Sequence, residues 1–259
     1  MSAQTTGKLT FLGSGTSQGV PVIGCQCPTC QSMDPKDQRL RVSVLVEVPD
    51  LNFAIDAGPD FRQQMLRAKV QKLDAILLTH EHKDHIAGLD DIRAFNFIQQ
   101  KPVAIYCDYA TELGIKEQFS YAFTETDYPY LPKMNFIQIA DDEFELGGLK
   151  FLPINVIHGK MPVKGFRIGD FTYITDAKEI VPAELDKMRG TKTLIINALR
   201  PEPHYSHLSI QQAIDIVQDI KPERAYFIHM SHQFGLHDVM QAQMPTNITV
   251  AYDGLKIEV

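Results

Sequence analysis

The chain has 259 residues, with 25 Lys+Arg against 32 Asp+Glu and a formal net charge of −7. The length suits one compact domain spanning residues 1–259, and 44% hydrophobic with 22% charged residues excludes disordered and fibrous classes. The acidic balance argues against a grip on extended nucleic acid, which needs a basic face to displace counterions.

No apolar run approaches the roughly 20 residues of a membrane-spanning helix, so no membrane partner is expected. The opening MSAQTTGKLT holds no apolar signal core, and a cytoplasmic location is expected. Four cysteines are too few for a disulfide scaffold. Three of them crowd into Gly24–Cys30 (GCQCPTC), a pattern of metal binding in a reducing compartment.

In chain order, Lys8–Leu12, Val42–Val48 and Asn52–Ile55 are rich in β-branched and aromatic residues and predict strands, with a turn at Pro49–Asp50. Phe61–Lys69 has helical spacing, and the apolar run Ala75–Leu78 is a strand. A helix is expected around Asp90–Gln99, a strand at Val103–Cys107 and a helix at Ala110–Ala122. Glu143–Pro153 predicts paired strands across Gly147–Gly148. Val163–Ile168 and Asp170–Thr175 predict a hairpin at Gly169–Asp170. Thr193–Ile196 and Arg224–Ile228 are strands flanking an amphipathic helix, Ile210–Asp219. Ile248–Tyr252 and Leu255–Val259 read as a closing hairpin across Asp253–Gly254. Strands that come both in hairpins and after helices predict mixed sheets packed face to face with helices outside.

The chemistry concentrates in Thr79–His85 (THEHKDH), directly after an apolar strand. His80 and His82 are two apart and project to one side of an extended backbone. The chain then turns and brings Asp84 and His85 in from another direction, which suits two adjacent cations. Imidazole with carboxylate favours Zn, Mn, Fe or Ni and not Ca. Gly13-x-Gly15-x-x-x-Gly19 has the wrong spacing for a dinucleotide loop, and Pro21 and the cysteines stand where a helix should begin.

This segment resembles the metal-binding signature of the metallo-β-lactamase fold superfamily. Phe11–Pro21 resembles the superfamily's opening strand and loop, and Ile55–Gly58 its Asp-Gly turn, whose aspartate (Asp56) supports the histidine loop. His158, Asp176 in YITD and His229 in FIH match the remaining ligands in order. The resemblance implies an α+β, four-layer αββα sandwich of two mixed sheets flanked by helices. It gives one divalent ion to His80, His82 and His158, and a second to Asp84, His85 and His229, with Asp176 bridging. The ions it implies are Mn, Zn or Ni.

The cysteine cluster resembles the structural zinc motif of phosphodiesterases related to PhnP. Cys25, Cys27 and Cys30 need a fourth ligand to complete a tetrahedron, and the resemblance supplies His232, with the zinc expected remote from the chemistry. Cys107 is expected to be core filling. His207 matches a non-ligand histidine that protonates the leaving oxygen, so the catalytic residues implied are His207 and Asp84.

The function implied is hydrolysis of small phosphodiesters, cyclic or linear, by a hydroxide activated between two metals, with a small anionic diester as partner. A homodimer is the base-rate expectation. A tRNA 3′-end endoribonuclease is one alternative, weakened because Asn197 stands where those relatives carry an acidic residue. Others are a thioester or lactone hydrolase, a single-iron persulfide oxygenase, and a non-catalytic PqqB-like carrier, the last opposed by the full ligand set. Arg62, Arg93, Arg200 and His204 are candidates to contact an anion, and His237 has no assigned role.

Overall fold

The structure is a computed structural model describing residues 7–125 and 128–259. Its strands in the first half are β1 (Lys8–Gly13), β2 (Ser43–Val48), β3 (Leu51–Ile55), β4 (Ala75–Leu77), β5 (Val103–Cys107) and β6 (Met134–Gln138). In the second half they are β7 (Phe144–Leu146), β8 (Leu149–His158), β9 (Met161–Ile168), β10 (Phe171–Ile174), β11 (Thr193–Asn197), β12 (Arg224–Ile228), β13 (Ile248–Val250) and β14 (Lys256–Glu258). The helices are α1 (Pro28–Gln31), α2 (Phe61–Ala68), α3 (Lys83–Ile86), α4 (Arg93–Gln99), α5 (Tyr109–Gln118), α6 (Pro182–Met188), α7 (Ile210–Ile220) and α8 (His237–Gln241).

Two seven-stranded sheets form, ordered β14-β1-β2-β3-β4-β5-β6 and β13-β12-β11-β10-β9-β8-β7. Alternation along each strand divides its side chains between two layers. Val44 and Val46 of β2 point between the sheets, where they join Phe53, Phe151, Phe166 and Tyr173, while Leu45 points to the helices with Phe61 and Ile86. On the far side, Ile210, Ala213, Val217 and Ile220 of α7 bury one face against the second sheet. Ser209 and Gln212 close that helix with a reciprocal capping box. Each sheet therefore has both faces covered, which gives the four-layer αββα sandwich.

The sequence reading differs from the structure in several places. The closing hairpin does not form: β13 pairs in parallel with β12, whereas β14 pairs antiparallel with β1 in the other sheet. The turn between them instead buries Asp253, whose carboxylate accepts from Ser14 N–H and Leu40 N–H at 2.9 Å each. The helix expected over Asp90–Gln99 is a 3₁₀ turn (Leu89–Ile92) leading into α4, and the helix expected to reach Ala122 ends at Gln118 before another 3₁₀ turn. Strand β8 runs on to His158 because β9 pairs with it from Phe151 to His158. Strand β6 and helix α6 carry no strong local pattern.

Candidate metal centre

The predicted site residues converge at one edge of the sandwich, where strands from both sheets end. Asp56 follows β3, His80 follows β4, His158 ends β8, Asp176 follows β10 and His229 follows β12. The loops outside carboxyl ends of parallel strands are the natural place for such a site. Asp56, Asp176 and His229 all have left-handed backbone, with φ of 64°, 57° and 56°. Non-glycine residues rarely adopt it, and when they do they cluster where a site over-determines them.

The ligand-competent atoms of His80, His82, His158 and Asp176 lie within 4.8 Å of one another, and so do those of Asp84, His85, Asp176 and His229. Asp176 belongs to both groups. Around its carboxylate stand the Nε2 atoms of His229 at 3.0 Å, His85 at 3.4 Å, His80 at 3.8 Å and His158 at 3.9 Å. Asp84 Oδ2 lies 3.2 Å from His85 Nε2 and 3.7 Å from His229 Nε2.

Supporting contacts leave Nε2 free on three of these rings. His85 Nδ1 donates to Asp56 Oδ2 at 2.8 Å, and His158 Nδ1 donates to the carbonyl of Ser206 at 2.8 Å. Thr79 presents its amide and hydroxyl to Asp56 at 2.9 and 3.0 Å, and its Oγ1 lies 3.0 Å from His80 Nδ1. Such outer contacts set the tautomer and aim of a metal-binding imidazole. Gly58 makes the close approach possible, since a Cβ there would fall 1.9 Å from the Asp84 carbonyl oxygen.

The donor set fits bound cations. The Nε2 atoms of His80, His85 and His229 are buried and make no hydrogen bond among the described residues, an arrangement that native proteins tolerate only where something else satisfies the atoms. Burial acts to raise Asp176, but His229 and His85 outweigh it and hold its carboxyl far below the usual range. Burial acts to raise Asp84 as well, and His85 foremost pulls it down. Burial, then His85, keeps His80 well below the ordinary imidazole value. Burial acts to lower His85, but Asp176, Asp84 and Asp56 outweigh it and hold that ring well above the ordinary imidazole value, so a cation bound there takes the place of a proton, as metal ligation requires.

Asn197 does not reach His207. Its side chain accepts from the Ala177 amide at 2.8 Å and donates to the Ala177 carbonyl at 2.9 Å, which fixes the turn after Asp176. His207 packs between the His158 and His229 rings, with centroids 4.6 and 4.8 Å away. Burial and then His229 push it down to about 3.

The other predicted cluster also assembles. Cys25, Cys27, Cys30 and His232 bring their ligand atoms within 4.8 Å of one another, and His232 Nδ1 lies 3.3 Å from both Cys25 Sγ and Cys27 Sγ. Backbone amides of Val22 and Cys30 point at the Cys30 and Cys27 sulfurs. Burial works to raise Cys27, but the Cys30 amide and then His232 bring it down to about 6, while burial pushes Cys30 up to about 11. The cluster is not remote as expected, because His232 itself lines the cavity over Asp84, Asp176 and His229. Fully buried Arg39 joins the two regions by donating to the carbonyls of Ser231 and Gly235 at 3.0 and 2.8 Å.

The remaining candidates separate. Arg62 is exposed on α2 and Arg93 pairs with Asp90, and neither lines the cavity, whereas Arg200 and His204 do. His237 is buried, with Nε2 3.1 Å from the Val250 carbonyl, so it serves the fold. Cys107 is fully buried core, pushed up to about 12 by burial. Ser206, Thr79 and Arg39 were not anticipated. The first two had a signal in sitting directly before His207 and His80, and Arg39 had none.

The family model of the β-lactamase superfamily domain matches residues 51–230. The chain belongs to the metallo-β-lactamase superfamily. A crystal structure described as a new diphosphatase from the PhnP family superimposes on this superfamily member with a TM-score of 0.92 at 40% identity, covering 98% of this chain and 97% of that one. Zn(2+)-bound PqqB from Methylobacterium extorquens shares the fold, with a TM-score of 0.79 at 20% identity over 97% of this chain and 100% of that one. An octanoyltransferase of Porphyromonas gingivalis is 39% identical over 250 residues, which are 95% of this chain and 50% of the relative. The chain thus spans half the length of that curated relative. Among the described residues, no helix is long and apolar enough to cross a membrane.

Proposed function

We propose that the protein is a metal-dependent hydrolase that cleaves small phosphodiesters, cyclic or linear. His80, His82 and His158 would hold one divalent ion and Asp84, His85 and His229 another, with Asp176 available to both. The observation that carries this reading is the convergence of four imidazole Nε2 atoms on Asp176 at 3.0–3.9 Å. Bound there, divalent ions of Mn, Zn or Ni type would supply water activation near neutral pH and offset charge on phosphoryl oxygens.

The chain's own residues do the positioning. Asp56 and the Ser206 carbonyl hold the His85 and His158 rings in the tautomer that leaves Nε2 free. Asp84 and Asp176 line the cavity with negative charge that bound cations would neutralise before an anionic diester enters. Burial and then His229 hold His207 neutral in the free protein; standing beside both ligand groups, it takes up a proton as the anionic diester binds and passes that proton to the departing oxygen. General acid help of this kind gives about 10²–10⁴-fold.

A cavity of 470 Å³ over the site suits a small ester, and the net charge of −7 disfavours an extended polyanion. Cys25, Cys27, Cys30 and His232 would hold a structural zinc, tying the Cys25–Cys30 segment to the one that carries His229.

A second reading, hydrolysis of an acyl ester or thioester, is favoured by the name of the Porphyromonas gingivalis relative, an octanoyltransferase. The test is metal quantification per chain together with turnover of cyclic, linear and dinucleotide phosphodiesters and an octanoyl thioester. Phosphodiester turnover that depends on metal loading is expected. Preference for the thioester, or no turnover when metal-replete, overturns the reading.

A further inference from the structure

Arg200 lies three residues beyond the end of β11 and lines the cavity that also holds Asp84, His158, Asp176 and His207. Arg39, Arg41, Arg67, Arg93 and Arg189 each face a carboxylate. Arg200 does not. Its one side-chain partner among the described residues is the neutral amide of Gln233, to whose Oε1 it donates, and its Nε is buried with no acceptor. A guanidinium donor left buried without an acceptor is costly unless a ligand supplies one.

His204 stands beside it. Its Nδ1 accepts from the Ser206 amide at 3.4 Å, so the ring proton resides on Nε2, which has no partner among the described residues. The ring stacks on His207 at 5.3 Å between centroids and against Tyr205 at 4.6 Å. Tyr205 is 82% exposed and walls the cavity mouth. Burial and then the Arg200 charge hold His204 below its ordinary value, so it is a neutral donor and Arg200 carries the charge.

We propose that Arg200 and His204 form a second oxyanion subsite, one imidazole ring away from the metal-holding residues, which selects substrates bearing a phosphate or carboxylate besides the scissile phosphodiester. A guanidinium fork matches such groups bidentately, and a point charge does not. The inference rests on the phosphodiesterase reading and narrows its substrate class.

The test is isothermal titration of the metal-loaded protein with three non-hydrolysable probes: methylphosphonate, methylenediphosphonate and phosphonoacetate. These carry one phosphoryl group, two phosphoryl groups, and a phosphoryl with a carboxylate. Arg200→Ala should weaken the two-anion probes about 10- to 100-fold more than methylphosphonate, the worth of one charge-assisted contact. Whichever two-anion probe loses more identifies the second group. Arg200→Gln keeps a donor for Gln233 and guards against a folding defect, and it should show the same selective loss. Arg200→Lys should lie between. An equal loss on all three probes, or none, overturns the subsite. Because binding is read without turnover, that result is separate from absence of phosphodiester hydrolysis, which would defeat the proposed function instead.

Discussion

Replacing Asp56 with Asn tests how the histidine loop is held, with almost no change of shape. The carboxylate is fully buried and accepts from His85 Nδ1 at 2.8 Å, the Thr79 amide at 2.9 Å and the Thr79 hydroxyl at 3.0 Å. Asparagine offers one acceptor oxygen and an NH₂ group, so at least one of these three donors faces another donor. An unsatisfied buried donor costs about 1–3 kcal/mol, and for a protein of this size a loss of about 2 kcal/mol lowers the melting temperature by roughly 4–8 °C.

The effect on metal binding should be asymmetric. Loss of a supporting contact to a metal-binding imidazole weakens affinity about 10–100-fold, or roughly 1.4–2.8 kcal/mol at 1.4 kcal/mol per decade. Asp56 touches only His85 among the ligands, so the ion assigned to Asp84, His85 and His229 should weaken while the one on His80, His82 and His158 is retained. Metal titration against a competing chelator, with thermal unfolding in parallel, reads both quantities. Wild-type affinity at both positions, or equal weakening of the two, would refute the reasoning.

Four further outcomes are expected. His207→Ala should lower turnover of a diester with a poor leaving group by about 10²–10⁴-fold with metal content unchanged by elemental analysis, and a wild-type rate would remove its role as proton donor. His232→Ala should cost one metal ion per chain and lower the unfolding temperature, leaving the other two ions bound. Gly58→Ala places a methyl 1.9 Å from the Asp84 carbonyl oxygen. The backbone must shift, so a loss of at least about 1–3 kcal/mol in urea unfolding is expected, with weaker binding of the ion nearest Asp84. Arg39→Leu removes two charge-assisted donors to the Ser231 and Gly235 carbonyls, each worth about 1.5–3 kcal/mol, and should loosen the 229–235 segment, seen as faster amide exchange there.

Much of the molecule is legible locally. The alternation in Ser43–Val48 follows from a period of two on a pleated backbone covered on both faces, and the helical stripe of Ile210–Ile220 from its burial against one sheet. His80, His82, Asp84 and His85, and the three clustered cysteines, were legible from their chemistry and spacing, whereas His158, Asp176, His229 and His232 were placed only by the resemblance to the superfamily. Sheet membership was not legible in the same way. Ile248–Val250 and Lys256–Glu258 look like the arms of a hairpin, yet they pair with different sheets, since β12 and β1 offer them open edges that no local pattern reveals.

The supporting residues belong to the same class. Asn197, which stands where the tRNA-processing relatives carry an acidic residue, turns its side chain to the Ala177 backbone. Arg39 reaches the Ser231 carbonyl across 192 positions of sequence. The amino-acid order determined which residue types could bind metal and where strands and helices begin. Only the packed sandwich decided which of them meet at Asp176 and what aims them, because those contacts are made between segments far apart in sequence, and close packing of both sheets is what brings their loops to one edge.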